Sequence, residues 1–302
     1  MHATPPLTPT RAMKTALVFG ASGQIGLPLL DRLGDAGWRV HALSRQARSD
    51  TPGRHWLQGD FARMPALPRE VDALFSCGPL DLFARWYATA TIASPRVIAF
   101  GSTSATSKHA SDDEHERDLA RRLLGAEAAV FQASEQRGAS ATMLRPTLVY
   151  GVGRDASLTR IAGMARRWGR FVLPRRADGL RQPVHVQDLA DAAFAASLAA
   201  VTAGRSYELP GGETLAYREM VRRVLACLDP PLPLLELPMP LFRAALAAAQ
   251  ARGVARNLTP AAVARMREDL AFDAAPARRD FGYAPRGFRP ESRMFDAPDR
   301  SD

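Results

Sequence analysis

Apolar residues along the first half of the chain follow two alternating rhythms. Residues 15–20 (TALVFG) form a short apolar run that ends in glycine. Behind it Ile25, Leu27, Leu29, Leu30 and Leu33 recur at helical spacing. A second run, 38–45 (WRVHALSR), follows. Comparable runs return at 55–58 (HWLQ), 71–77 (VDALFSC), 96–101 (RVIAFG) and 141–151 (ATMLRPTLVYG). Helical spacing fills most of the intervals, including 80–93 and a longer stretch over about 113–137. Short β-type runs bounded by turn residues predict strands, and the three-to-four spacing predicts helices. Their alternation predicts a parallel sheet covered by helices on both faces, with right-handed crossovers.

After Gly151 the rhythm changes. Residues 156–170 predict a helix, 183–186 (PVHV) a short strand leading to a helix from Asp188, and 206–210 (SYELP) another strand. From 214 onward the pattern is mostly helical, broken by the proline-rich stretch 229–240 (DPPLPLLELPMP). The predicted division is a disordered leader over 1–13, a sheet domain over 14–210, and a smaller, mainly helical C-terminal lobe over 211–302 to which 155–180 also contributes. No internal repeat is visible.

The turn after the first predicted strand carries the clearest chemistry: Gly20-Ala21-Ser22-Gly23-Gln24-Ile25-Gly26. Glycines at that spacing, between a strand and a helix, predict a dinucleotide cradle on a Rossmann-type, doubly wound α/β fold. Gly20 permits the tight turn, Gly23 the approach of the backbone to a pyrophosphate, and Gly26 close packing of the helix on the sheet. The helix N-terminus offers unpaired N–H groups and partial positive charge to phosphates. The end of the second strand reads Ala42-Leu43-Ser44-Arg45, without the acidic residue that would bind a ribose 2′-hydroxyl. Arg45, with a hydrogen bond from Ser44, suits a 2′-phosphate instead, so NADP is favoured and NAD stays open.

Composition is that of an ordinary globular chain, 46% apolar and 24% charged over 302 residues. No run of about 18 apolar residues predicts a membrane span. The leader MHATPPLTPTRA lacks a signal-peptide core, so the expected compartment is the cytoplasm. Cys77 and Cys227 show no metal or CxxC spacing and read as small buried hydrophobes, and no His/Asp/Glu spacing argues for a metal. The net charge of +9 invites a nucleic-acid reading, but 38 of the 40 basic residues are arginine, Lys14 and Lys108 being the two lysines. The charge is spread along the chain and no nucleic-acid motif accompanies it, so nucleic acid is not an expected partner.

These features resemble the short-chain dehydrogenase/reductase superfamily in its extended and atypical branches, the NAD-dependent epimerase/dehydratase family. Gly59-Asp60-Phe61 is similar to the family's turn after the third strand, where an Asp contacts adenine. Cys77-Gly78 falls where the fourth strand meets the cofactor. LRPTLVYG (144–151), VHVQDLADA (184–192), YELPGGETLAYREM (207–220) and FDAAPARRDFGYAPRGF (272–288) resemble further family segments, so the likeness spans nearly the whole chain. It implies cofactor contacts from Gly20, Ser22, Gly23, Gln24, Ile25, Gly26, Ser44, Arg45, Asp60, Phe61, Cys77, Gly78 and Pro146.

One departure stands out. The family's catalytic Tyr-x-x-x-Lys pair is absent, because neither lysine lies four residues after any of Tyr87, Tyr150, Tyr207, Tyr217 or Tyr283. If Glu127 matches the family's glutamate on the long helix, Leu119 and Leu123 hold the pair's places. The Ser/Thr partner is expected at Thr103 or Ser104, and Tyr150 is a candidate substitute acid or a residue that shapes the pocket. His185 and Asp188 read as a hydrogen-bonding residue and a helix N-cap rather than a general-base pair. Arginines cluster between 160 and 181; Arg175, Arg176 and Arg181 are the candidate substrate ligands, with a contact to a membrane surface or an acidic protein, or a solvated helix face, as the other readings. The apolar stretch 230–249 reads as lobe packing, with a dimer or membrane contact as the other readings. Two functions remain open: an oxidoreductase or epimerase on a carbonyl or carbinol substrate with an unusual proton donor, or a non-catalytic NADP(H)-binding module resembling the accessory subunit of respiratory complex I.

Overall fold

A computed structural model describes residues 13–253 and 259–296; the expected leader, Met13 apart, lies outside the described residues. In chain order the first half runs β1 (Thr15–Phe19), α1 (Gly26–Asp35), β2 (Arg39–Ser44), β3 (Arg54–Gln58), β4 (Ala73–Ser76), α2 (Leu80–Thr89), β5 (Arg96–Phe100), α3 (Ser104–Ser107), α4 (Glu114–Gln136) and β6 (Ser140–Pro146). There follow β7 (Val149–Tyr150), α5 (Leu158–Trp168), β8 (Phe171–Pro174), β9 (Leu180–Arg181), β10 (Val184–His185), α6 (Val186–Leu198) and β11 (Arg205–Leu209). The chain then continues through β12 (Leu215–Ala216), α7 (Tyr217–Ala226), β13 (Leu234–Leu237), α8 (Met239–Ala251), α9 (Pro260–Arg265) and α10 (Ala275–Phe281).

Seven strands form one parallel sheet in the order β11-β6-β5-β4-β1-β2-β3. The chain steps outward from β1 to β3, then crosses back to β4 and steps outward the other way. The reversal opens a crevice at the carboxyl ends of β1 and β4, where ligands bind in doubly wound sheets. Alternate residues of each strand feed opposite faces. Ala16 and Val18 join Leu29, Leu30, Leu33, Leu189 and Phe194 under α1 and α6. Leu17 and Phe19 join Phe83, Tyr87 and Val130 under α2 and α4. Burying each such aliphatic or aromatic side chain contributes about 1.5–3 kcal/mol.

Arg96 at the start of β5 ties the sheet to the end of α6. Its guanidinium donates to the carbonyls of Ala196 (2.6 Å), Ser197 (3.2 Å) and Ala199 (3.0 Å) and to Thr202 Oγ1 (2.8 Å). Those carbonyls lie at the C-terminal end of α6, where a cation complements the helix dipole.

A third core, built from Tyr150, Leu158, Ile161, Leu173, Met220, Val224, Phe288 and Phe295, forms the smaller lobe. It draws α5, β8 and α7 together with the last described residues. Ala274, Ala277 and Tyr283, by contrast, pack in the core of the main sheet. The lobe is not purely helical: β7 pairs with β10, β9 with β12 and β8 with β13. The run 141–151 splits at Thr147, whose N–H donates to Leu209 O at 3.3 Å and whose hydroxyl donates to Gln182 O. The helix expected from Asp188 starts at Val186, because His185 Nδ1 caps it by accepting from Gln187 N–H at 3.2 Å. Asp188 is therefore not the cap; it accepts from Arg286 N–H (3.0 Å) and Nε (2.7 Å) and anchors the chain near the C-terminus. Lobe packing holds the first part of 230–249, where Leu232 and Leu234 pack on the third core and β13 pairs with β8; in α8 only Phe242 is buried, and Leu241 is 58% exposed. Among the described residues, no helix is long and apolar enough to cross a membrane.

Candidate dinucleotide and substrate site

The glycine loop sits at the reversal point of the sheet. Gly20 has φ +67°, and a Cβ there would meet Gly78 N at 2.7 Å and Cys77 C at 2.8 Å, so the loop after β4 presses directly on the turn. A Cβ on Gly26 would lie 2.2 Å from Gly20 O and 2.6 Å from Ala21 O. The turn closes through Gly23 N–H to Gly20 O (2.9 Å) and Leu27 N–H to Gly23 O (3.1 Å). Among the described residues, the N–H groups of Gln24, Ile25 and Gly26 find no acceptor, and no side chain caps α1. Gln24 Oε1 is also buried without a partner. Unpaired amides at a helix N-terminus fit a dinucleotide pyrophosphate.

Arg154, which the sequence reading passed over, donates to Ser22 O from the loop behind β7. That loop is fixed by Gly153 N–H to Met294 O at 2.8 Å. Arg166 holds the same terminal segment through Phe295 O (3.0 Å), Ser292 Oγ (3.1 Å) and Asp296 (2.7 Å). A guanidinium is thus held across the glycine loop from 132 residues away in sequence. No sequence motif marks it, because the contact depends on how the loop folds back.

At the end of β2, Ser44 is buried and its Oγ accepts from Gln46 N–H at 3.2 Å. Arg45 is exposed, with no ion pair among the described residues. Arg48 joins this edge: its guanidinium lies 5.1 Å over the Trp56 ring, and its Nε is buried without an acceptor. Asp60 Oδ1 accepts from the N–H groups of Ala62 and Arg63, both at 2.8 Å, and those bonds hold its carboxyl below the usual range. Phe61 stacks on Phe19 with ring centroids 5.4 Å apart. Cys77 is partly buried, and desolvation pushes its thiol up to about 12, which leaves no thiolate for chemistry.

Above β5 and β6 the catalytic candidates separate. Thr103 is buried, and both its N–H and its hydroxyl donate to Pro146 O at 3.2 Å. Ser104 begins α3 with its hydroxyl unpartnered among the described residues. Tyr150 is 1% exposed, packed edge-on against His185 (5.2 Å) and Phe288 (5.0 Å). Burial and the charge of Asp188 push its hydroxyl up to about 12, which argues for a wall of the pocket and against a proton donor. Leu119, Leu123 and Glu127 form one stripe of α4 at four-residue spacing. Glu127 is 3% exposed and takes Arg145 Nε at 3.0 and 3.1 Å.

The arginine cluster does not converge. Arg181, a substrate candidate by sequence, is buried with its donors on Leu180 O (2.7 Å), Glu268 O (2.8 Å) and Arg265 O, and its guanidinium over Tyr217. It braces the lobe, so it is corrected to a structural residue. Arg175 and Arg176 are exposed on the turn after β8. No cluster of three metal-ligating side chains occurs among the described residues.

No family model matches the chain. It is 26% identical over 321 aligned residues to a 2-alkyl-3-oxoalkanoate reductase of Stenotrophomonas maltophilia (strain K279a), covering 89% of this chain and 94% of that protein. Among solved structures it is similar to the terminal R domain of the myxalamid PKS-NRPS biosynthetic pathway, at 21% identity and a TM-score of 0.71, over 94% of this chain and 89% of that one. It is also similar to the epimerase Mth375 of Methanothermobacter thermautotrophicus (14% identity, TM-score 0.67, 94% and 91% of the two chains). A third likeness is to the Bacillus cereus UDP-glucuronic acid 4-epimerase in complex with NAD (12% identity, TM-score 0.65, 93% and 96%). The chain has the fold of the extended and atypical short-chain dehydrogenase/reductases, the NAD-dependent epimerase/dehydratase group.

Proposed function

We propose that the protein is an NADP(H)-dependent oxidoreductase that reduces the keto group of a 3-oxo acid, without a Tyr-x-x-x-Lys pair. The observation that carries this reading is the glycine loop, with three unanswered amides at a helix N-terminus on the reversal point of the sheet. The bound nicotinamide would supply hydride. The residues around it have separate tasks. The amides of Gln24, Ile25 and Gly26 hold the pyrophosphate, with Arg154 beside them. Arg45 and Arg48 grip a 2′-phosphate, with Ser44 ordering the turn. Ser104 donates a hydrogen bond to the substrate carbonyl, and Tyr150 walls the pocket. The full-length likeness to a 2-alkyl-3-oxoalkanoate reductase supports the substrate class.

A second reading, a non-catalytic NADP(H)-binding module, is favoured by one observation: Leu119 and Leu123 stand in the α4 stripe that ends at Glu127. Fluorescence titration with NADPH and NADH, followed by NADPH oxidation with 2-methyl-3-oxobutanoate, separates the two. The oxidoreductase reading expects NADPH to bind more tightly than NADH, Arg45→Ala to erase that preference by about tenfold, and NADPH to be consumed. Binding without consumption across a series of 2-alkyl-3-oxo acids would establish the module.

A further inference from the structure

Three charged side chains meet at the carboxyl edge of β5. Lys108 caps α3, and its Nζ lies 3.4 Å from Glu116 Oε1. Glu116, in the first turn of α4, is 8% exposed and accepts from Ser111 Oγ at 2.8 Å. From the other side Arg265, the last residue of α9, contacts the same Glu116 oxygen. The cluster therefore joins the end of α3, the first turn of α4 and the end of α9. It stands on the β4–β5–β6 side of the crevice, away from the strands that would carry adenine. Glu116 is three residues before Leu119, one turn up the α4 stripe from which a family tyrosine would project.

We propose that Lys108 is the proton donor of the reduction. The inference rests on the oxidoreductase reading. In the step, the carbonyl carbon accepts one hydride, a proton with its two electrons, from the reduced nicotinamide, and the C=O π pair moves onto oxygen. That oxygen takes the proton from the Lys108 ammonium. The nicotinamide is left oxidised, and the neutral amine regains its proton from solvent.

The composition of the chain supports a titrating role. Of 40 basic residues only two are lysine. An ion pair with a buried carboxylate is better made by arginine, and the chain uses arginine almost everywhere. Arginine cannot give up its proton, whereas lysine can. The other lysine, Lys14, rests 5.3 Å over Trp38 at the opposite, amino edge of β1. The surroundings agree. Burial, then the charge of Arg265, hold the Lys108 ammonium below its ordinary value of 10.5, with Asp113 opposing. Glu116 Oε1 is shared between Lys108 and Arg265. Ser104 lies one turn before Lys108, its hydroxyl free to orient the carbonyl that Lys108 protonates.

The test compares wild type, Lys108→Arg and Lys108→Ala, with NADPH fluorescence as the check that each variant folds and binds. NADPH oxidation with 2-methyl-3-oxobutanoate is then followed against pH. Lys108→Arg keeps the charge and the ion pair, so the expected result is wild-type NADPH binding with turnover reduced by about 100-fold or more. Wild-type turnover should fall as pH rises through the lowered lysine value, and added methylamine should partly restore Lys108→Ala. A second readout needs no turnover: acetic anhydride labelling of Lys108 against pH, read by mass spectrometry and compared with free Nα-acetyl-lysine labelled alongside. Lys108 should become reactive at lower pH than the free amine. Lys108→Arg turning over like wild type, or Lys108 labelling at the pH of the free amine, would overturn the proposal alone. Wild type that binds NADPH but oxidises none of it would overturn the oxidoreductase reading and this proposal together.

Discussion

The two sides of the crevice are made from different materials. On the β1–β2–β3 side the groups on offer are main-chain amides, presented by a turn so tight that Gly20 and Gly26 have no room for a Cβ. On the β4–β5–β6 side the groups are side chains: Ser104, Lys108, Glu116 and the Glu127–Arg145 pair, with two leucines in the α4 stripe. Main-chain recognition fixes which residues are tolerated over a short stretch of sequence. Side-chain chemistry can be reassigned to another element so long as the new group reaches the same point. On the proposed function, that difference would let a chain keep a glycine cradle while its proton donor moves to another element.

The largest effect is expected on the side-chain half. Glu127→Ala removes the carboxylate that Arg145 meets with Nε at 3.0 and 3.1 Å, and leaves a nearly buried guanidinium without its counter-charge. Breaking a buried pair in this way costs about 3–5 kcal/mol. Denaturant unfolding should show that loss, while NADPH affinity of the folded fraction stays near wild type. A large fall in affinity with stability intact would mean that the two sides are coupled. Gly26→Ala is the counterpart on the main-chain side. A Cβ 2.2 Å from Gly20 O forces the turn open, and a strain of about 1–3 kcal/mol is expected to fall on the phosphate cradle. Affinity for NADPH and NADH alike should drop by about 100-fold. Unchanged binding would show that the amides of this loop do not carry the pyrophosphate.

Arg154→Ala sharpens the comparison, because here a side chain reaches into the main-chain half. Loss of one charge-assisted contact is worth about 1.5 kcal/mol, so both dinucleotides should weaken by about tenfold, without the NADPH selectivity expected of Arg45. An effect confined to NADPH would move Arg154 to the 2′-phosphate.

What was legible in the sequence follows the same division. The strand–helix alternation, the glycine turn and the absence of an acid after β2 are local patterns, and each was readable from neighbouring residues. Arg154 and the meeting of Lys108, Glu116 and Arg265 depend on contacts across 132 and 149 residues, which periodicity does not encode. Arg181 misled for a related reason. Its basic neighbours suggested a ligand cluster, whereas its own donors close on lobe carbonyls. The start of α6 was misplaced because Asp188 is the commoner capping residue, whereas His185, three residues earlier, caps the helix.

That histidine gives the smallest effect and the one most easily dissected. His185 Nδ1 can accept from Gln187 N–H only while it carries no proton. Burial, then Arg286, lower its value below the ordinary 6.5, with Asp188 and Glu291 opposing and the Tyr150 ring against one edge. The unfolded chain therefore takes up a proton here before the folded one does. The stabilising contribution is complete above pH 6.5 and is lost as pH falls towards the lowered folded value. Thermal unfolding followed from pH 7.5 to 5.5 should show a loss of about 1 kcal/mol at this site, the scale of one helix cap. His185→Asn keeps an accepting cap without the titration, so its stability should change less over that interval. Equal slopes for the two proteins would place the acid sensitivity elsewhere, with His41, whose value is also lowered by burial, as the next residue to replace.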